Sequence, residues 1–459
     1  MPIHLCTIGM MYRLFINIMI KCAVIAALAV ASVSCTDLHG DDFITPEGGA
    51  NIPSDRVTMN ETRNVLLIYS AGFNSLSSYL ADDFKDLKSG YVPGDKRNDD
   101  VILVYLHLPD TRGKYSSASS PVLLRISSDD AETVVTDTLV VYDKGTVSAS
   151  AEQMNKVLEY VKDEFPAKGY GMIFSSHATG WLPNGYYTNS EEYEAGGFSA
   201  SLFAHSSRPV PVPYVAPEYD PSTPLTKSIG QDRGDYIEAS ISYEMELSDF
   251  ADAIPMHFDY ILFDACLMGG VEVAYQLKDV CDKVGFSQAE VLAEGFDYKT
   301  LTNHIFLEPE PKPENICVDY FNYYNVLSGI ERSATISCVD CRNLEPLARV
   351  CSRLFSEYAD EIAVLNPRMV QQFYRAKYHW FYDLESILVA AGITDAELAE
   401  LHAALDECMI YKAATPSFMG TFNISTFSGF SMFLPSDGGE RLKEFYKTLD
   451  WNKATGLVK

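Results

Sequence analysis

The chain is short of positive charge: 35 Lys and Arg stand against 63 Asp and Glu, a formal charge of -28 over 459 residues. So acidic a surface repels nucleic acid and anionic membrane surfaces, and neither is expected as a partner. Internal repeats are absent, which excludes a solenoid or propeller. There is a single Cys-x-x-Cys, at Cys338 and Cys341 in SCVDCRNL, with no second one and no nearby His pair. That excludes the usual structural zinc patterns. No residue pattern names a cofactor. Ca2+, which an acidic surface would attract, is left open with no ligands assigned to it. The apolar run CAVIAALAVASV is too short to cross a bilayer as a stop-transfer helix. What is present, 47% apolar residues, suits a globular protein with a large core.

The first 35 residues read as a signal peptide. Arg13 and Lys21 precede the apolar run, and Ser34 precedes Cys35. The small residues before Cys35 resemble a lipoprotein cleavage box, with Ser32 where Leu is more usual. Cleavage would leave Cys35 as a lipid-modified N-terminus holding the protein to a membrane. The acidic stretch TDLHGDD that follows resembles signals for the outer surface of a bacterial outer membrane. Residues 36–60 read as a polar tether. Seven cysteines lie beyond Cys35, in apolar runs that favour buried thiols over a disulfide framework.

From residue 61 strand and helix signals alternate, which predicts a mostly parallel sheet covered by helices. NVLLIYSAG and DVILVYLHLP are buried strands; PVLLRIS and TDTLVVYD form a hairpin. Ser150 and Gln153 predict a capping box for a helix, and Thr394 and Glu397 another. Residues 184–243 break the pattern. This segment is rich in Pro, Gly, Ser and Tyr, and so long a connection is either functional or a plain insertion. After Tyr298 the alternation is less regular, and residues 311–459 read as a C-terminal subdomain packed on the sheet.

Two strand ends carry the chemistry. FDYILFDACLMGGVEVAYQL delivers Cys266 to the carboxyl end of a strand and the start of a helix whose apolar positions are Leu267, Val271, Ala274 and Tyr275. Ligand-handling groups of open α/β sheets sit there, and helix N–H groups favour a thiolate. YGMIFSSHATGW delivers His177 to a second such end. A Cys and a His so placed make a candidate nucleophile and base. The other histidines, His107, His257, His304, His379 and His402, lack a cysteine-bearing motif and read as structural.

SSHATGWLP and FDYILFDACLMGG, with SQAEVLAEGFDY and GFSMFLPS, resemble the clostripain-type (C11) cysteine peptidases of the caspase-like clan. The resemblance covers most of the chain after residue 60. It implies a caspase-like α/β fold for residues 61–310, a mostly parallel sheet with helices on both faces, joined to the C-terminal α/β subdomain. It implies a cysteine endopeptidase acting on proteins or peptides with basic residues; a monomer is expected, without a residue pattern behind it. Cys266 would be the nucleophile and His177 the base. The N–H groups of Cys266 and Ala178 would bind the oxyanion, although the family usually has Gly at the position of Ala178. Asp264 and Glu294, where the family more often has Asp, would hold an Arg or Lys side chain. Lys227 and Arg233 would be candidate cleavage points in the linker. Asp264 bracing its own loop, and Glu294 as a solvated turn residue, stay open as plainer readings. So does a surface lipoprotein that binds peptide or glycan without catalysis.

Overall fold

In the computed structural model, residues 62–74, 76–94, 100–109, 119–195, 211–213, 232–233, 241–376 and 378–459 are described. Cys35 and Lys227 lie outside them. Nine strands make one sheet: β1 (Thr62–Ala71), β2 (Asp100–His107), β3 (Val122–Ser128), β4 (Val134–Val141), β5 (Ala167–Ser175), β6 (Phe258–Asp264), β7 (Cys281–Phe286), β8 (Thr335–Asp340) and β9 (Met409–Ala414). Their order is β9-β8-β7-β6-β5-β1-β2-β3-β4. The central strands β2, β1, β5, β6 and β7 run parallel. Antiparallel pairs extend both edges: β3 and β4 as the expected hairpin, β8 and β9 at the other side. The last two come from the region after residue 311, so the C-terminal residues complete the sheet as well as cover it. Residues Asn60–Lys459 form one compact unit.

β2 is buried at every position and β1 at all but Arg63. A strand buried on alternate residues of both kinds has both faces covered, as parallel sheets require. The covering helices are α1 (Ser77–Ser89), α2 (Ala151–Glu164), α3 (Tyr186–Ala195), α4 (Leu247–Asp252), α5 (Val271–Leu277), α6 (Leu301–Phe306), α7 (Pro313–Asn325), α8 (Leu344–Glu357), α9 (Leu384–Ala391), α10 (Asp395–Cys408), α11 (Glu440–Tyr446) and α12 (Asp450–Thr455). The box at α10 closes both ways: Glu397 N–H donates to Thr394 Oγ1 at 3.3 Å and Thr394 N–H to Glu397 Oε2 at 2.8 Å. At α2 only half of it forms. Gln153 N–H donates to Ser150 Oγ at 3.2 Å, but the Gln153 Nε2 is buried without a partner.

The irregular segment 184–243 is held at its two roots. Asn184 N–H donates to Glu246 Oε1 and Gly185 N–H to Glu244 Oε2, each at 3.0 Å, and Asn184 Nδ2 donates to Glu244 O at 3.1 Å. Burial pushes the Glu244 carboxyl up to about 7 and that of Glu246 to about 8. Within the segment, α3 forms where no helical periodicity was read, and Pro211–Pro213, Asp232–Arg233 and Ile241–Tyr243 pair as a small antiparallel sheet. Arg233 therefore lies in a strand. Among the described residues no helix is long and apolar enough to cross a membrane.

Candidate active site

Strands β5 and β6 pair in parallel up to Ser175 opposite Asp264. His177 and Cys266 each follow two residues later, so the register brings them to neighbouring strand ends. The sheet order reverses direction beside them: β1 leads outward to β2, while β5 leads to β6 and β7 on the other side. Such a switch point opens a crevice at the carboxyl ends of the strands. His177 is 5% exposed and Cys266 fully buried. Val291 N–H points at Cys266 Sγ from 3.0 Å. The thiol in turn donates to Val291 O at 3.6 Å, so one residue meets the sulfur with both a donor and an acceptor.

The backbone around Cys266 differs from a strand running straight into a helix. Leu267 has φ +61°, an unusual conformation for a residue with a side chain, and α5 begins only at Val271. Leu267 N–H is taken by Ala289 O at 2.9 Å and Gly269 N–H by Ser287 O at 2.7 Å. The helix N-terminus expected immediately beside the thiol is thus displaced by a turn. The N–H donors next to Cys266 bind the segment after β7 instead.

Ala178 is not among the described residues with positive φ, so alanine carries no strain there. The left-handed position is Gly180, with φ +60°. A Cβ on Gly180 would stand 2.4 Å from Leu267 O. Only glycine lets the His177 loop lie this close to the Cys266 turn.

Asp264 and Glu294 differ sharply. Asp264 is fully buried, and its Oδ2 accepts the Tyr298 hydroxyl at 3.0 Å and the Ser175 hydroxyl at 3.3 Å. Glu294 is exposed, just before Gly295 at φ +61°. Both act on Tyr324, whose hydroxyl donates to Gly295 O at 3.2 Å; burial raises that phenol first, then Tyr320, Asp264 and Glu294. Among the described residues the buried Tyr320 hydroxyl has no hydrogen-bond partner, and burial followed by Asp264 holds it well above the usual phenol range.

These tyrosines were not singled out from the sequence. Ile316, Cys317, Tyr320 and Tyr324 recur on the buried face of α7, a pattern that reads as core. Also missed was Glu290, 2% exposed, gripped by Arg375 through Nε at 2.7 Å and Nη2 at 3.2 Å. Beside it the Tyr374 hydroxyl donates to Tyr187 Oη at 2.6 Å. Burial raises Tyr187 well above the usual phenol range, with Tyr374, Glu290 and then Cys266 adding to it. A side chain from the start of the linker is therefore within electrostatic reach of the thiol.

The remaining described histidines have structural surroundings. His107 Nδ1 meets Ser148 Oγ at 2.7 Å, while His257, His304 and His402 pair with Asp282, Asp319 and Glu385. Among the described residues no cluster of three or more His, Cys, Asp or Glu is placed to hold a metal, and the seven described cysteines form no disulfide.

Among solved structures, the chain is similar to an inactive zymogen C11 protease from Parabacteroides distasonis, at 26% identity and TM-score 0.66, covering 86% of this chain and 99% of that one. It shares its fold with the secreted C11 cysteine protease iotapain from Bacteroides thetaiotaomicron, at 22% identity and TM-score 0.64 over 86% and 100% of the two chains. The same holds for a secreted C11 protease of that organism in complex with an irreversible peptide inhibitor, at 22% identity and TM-score 0.64 over 86% and 98%. None of the curated proteins matches. The clostripain family profile (Peptidase_C11) matches residues 68–192 and 217–456, which include both strand ends with Cys266 and His177. The protein is a member of the clostripain (C11) family of cysteine peptidases.

Proposed function

We propose that this peptidase cleaves after Lys or Arg with Cys266 as nucleophile and His177 as acid and base. The observation that carries the reading is the parallel register of β5 and β6, which sets the two residues at adjacent strand ends. Cys266 Sγ attacks the scissile carbonyl carbon while His177 takes the thiol proton. His177 then delivers that proton to the leaving amine, and water hydrolyses the acyl-enzyme. Leu267 and Gly269 spend their N–H groups elsewhere. The oxyanion is assigned to the N–H groups of Cys266 and Ala178, and one such donor is worth about 3 kcal/mol in the transition state.

For the basic side chain, Asp264 is the main anchor and Glu294 a rim charge. Asp264 has no solvent exposure, so a substrate side chain reaches it only by displacing what covers it. The relative from P. distasonis is described as an inactive zymogen. Here, Lys227 and Arg233 are assigned as the cleavage points in the linker. The mechanism needs no cofactor. The protein is taken to be a monomer, lipid-anchored through Cys35 at the outer surface of a bacterial outer membrane. Complete recovery of the full chain in the soluble fraction, without acyl label, would sink the anchor.

A fluorogenic peptide panel varied at the residue before the cleaved bond tests the rest. Cys266→Ala should abolish turnover while the melting temperature stays within a few degrees. Asp264→Asn should lower kcat/KM on Arg and Lys peptides by roughly 30- to 1,000-fold, the equivalent of 2–4 kcal/mol for a buried charge pair. Glu294→Gln, being exposed, should cost under tenfold, or about 1 kcal/mol. Normal activity of Cys266→Ala, or equal losses on basic and neutral peptides in Asp264→Asn, would overturn the respective assignment.

A further inference from the structure

Three buried polar atoms without hydrogen-bond partners converge behind the Cys266 turn. Glu272, the second residue of α5, is 1% exposed. Its Oε1 accepts Phe433 N–H at 2.9 Å and the Tyr446 hydroxyl at 2.7 Å. Among the described residues its Oε2 has no hydrogen-bond partner, and neither have Ser431 Oγ and Trp181 Nε1. All three surround one spot. A Cβ on Gly270 would stand 2.7 Å from Glu272 Oε2, 3.7 Å from Ser431 Oγ and 3.6 Å from Trp181 Cδ1, the carbon bonded to Nε1.

Four separate segments meet there. Trp181 lies four residues after His177, Glu272 six after Cys266, and Ser431 and Phe433 come from the C-terminal strand Ser431–Met432 and its end. Tyr446 comes from α11. The backbone joins them too: Ser431 N–H donates to Gly269 O at 2.8 Å. The Trp181 ring packs against Phe433 and Tyr446 at 5.0 and 5.1 Å.

Among the described residues, none of the groups facing the carboxyl is cationic. From α11 there is Tyr446, with the Cys351 thiol of α8 behind it. The C-terminal strand offers a hydroxyl and main chain, and the His177 loop an indole. An ionised carboxylate here would be a buried charge with no counter-charge. Burial pushes the Glu272 carboxyl up to about 7, against the opposing pull of Phe433 N–H, the Tyr446 hydroxyl and Glu272's own N–H.

We infer that Glu272 is a positioning residue: as a neutral carboxylic acid it fastens the Cys266 turn and the His177 loop to the C-terminal segment, and its ionisation loosens that joint. In the acid, Oε1 accepts twice as a carbonyl and Oε2–H is a donor on the side of Ser431 Oγ. After ionisation Oε2 can only accept. The donor toward Ser431 is lost, and the buried charge, with no cation facing it, strains the packing around Trp181, four residues after His177. The inference rests on the reading of Cys266 and His177 as the working pair.

The test compares the full chain with its Glu272→Gln and Glu272→Ala variants. Gln mimics the neutral acid, so it should rescue what Ala loses. Glu272 ionises near 4.5 when unfolded and near 7 when folded. The native state therefore holds the extra proton between those values, and the stability this group lends falls as pH rises across that window. The melting temperature of Gln minus wild type should climb from pH 5 to pH 7 and level off above. In the native enzyme, kcat of Gln relative to wild type should rise from near one at pH 6 to roughly three- to tenfold above pH 8, with KM unchanged. If both differences are flat from pH 5 to 9, or if Gln is as damaging as Ala at pH 6, the inference is overturned. The melting arm needs no catalysis, so an active Cys266→Ala would defeat the nucleophile while leaving the protonation of Glu272 testable.

Discussion

Two neighbouring residues of the His177 loop carry opposite tolerances. Ala178 occupies a position where the family tends to have glycine, yet its φ is not positive, so Ala178→Gly should only add unfolded-state freedom. The expected outcome is about 0.5–1 kcal/mol less stability, with kcat/KM within a few-fold of wild type. Gly180→Ala meets both a left-handed φ and the carbonyl of Leu267. It should cost about 1–2 kcal/mol from the φ alone, and lower kcat/KM by roughly tenfold or more as the two loops are pushed apart. Melting curves and peptide turnover of the two variants check this, and equal tolerance would refute the assigned roles. At this scale the sequence was legible where a motif ends a strand: Cys266, His177 and Asp264 stand where the apolar runs put them. Glu290, Arg375 and Tyr298 were not, because their partners are distant in the chain, and no local period marks Tyr320 as facing a carboxylate rather than a core.

Helix α3 shows what periodicity cannot reveal. Its sequence YYTNSEEYEA has no apolar stripe, so periodicity does not set it apart from the rest of the linker. It forms because its ends are tied elsewhere. Glu194 accepts Arg441 N–H and Leu442 N–H at 3.0 Å each, supplying the first turn of α11 with the cap its own Gly439 lacks, and takes the Tyr186 hydroxyl at 3.1 Å. A carboxylate at a helix N-terminus satisfies orphan donors and the dipole together. Glu194→Ala should therefore cost about 1–3 kcal/mol in thermal or urea unfolding. An unchanged midpoint would show the contact to be idle. The caps at α2 and α10 were readable because a capping box spans four residues; this one spans nearly 250.

Alternation of strands and helices made the parallel core legible at the scale of the whole molecule. The strand order was not, since order depends on which edge each crossover joins. Nor did the irregular C-terminal sequence announce that β8 and β9 would extend the sheet. Their antiparallel entry follows from arriving by connections that are not β-helix-β crossovers of the simple kind.

The strand order has a consequence for a chain cut anywhere between α3 and Ile241. One fragment would hold β1 to β5, the other β6 to β9, and their boundary would be the five registered pairs from Gly171 with Tyr260 to Ser175 with Asp264. The product is in effect an obligate heterodimer whose interface is the middle of a sheet. The roots of the cut segment stay stapled by Glu244 and Glu246. Two bands on a denaturing gel should thus elute as a single species of full mass under native conditions. Fragments expressed separately should aggregate, because each alone presents an unpaired apolar strand edge. Native elution as two smaller soluble species would contradict the shared sheet. His177 would belong to one subunit and Cys266 to the other.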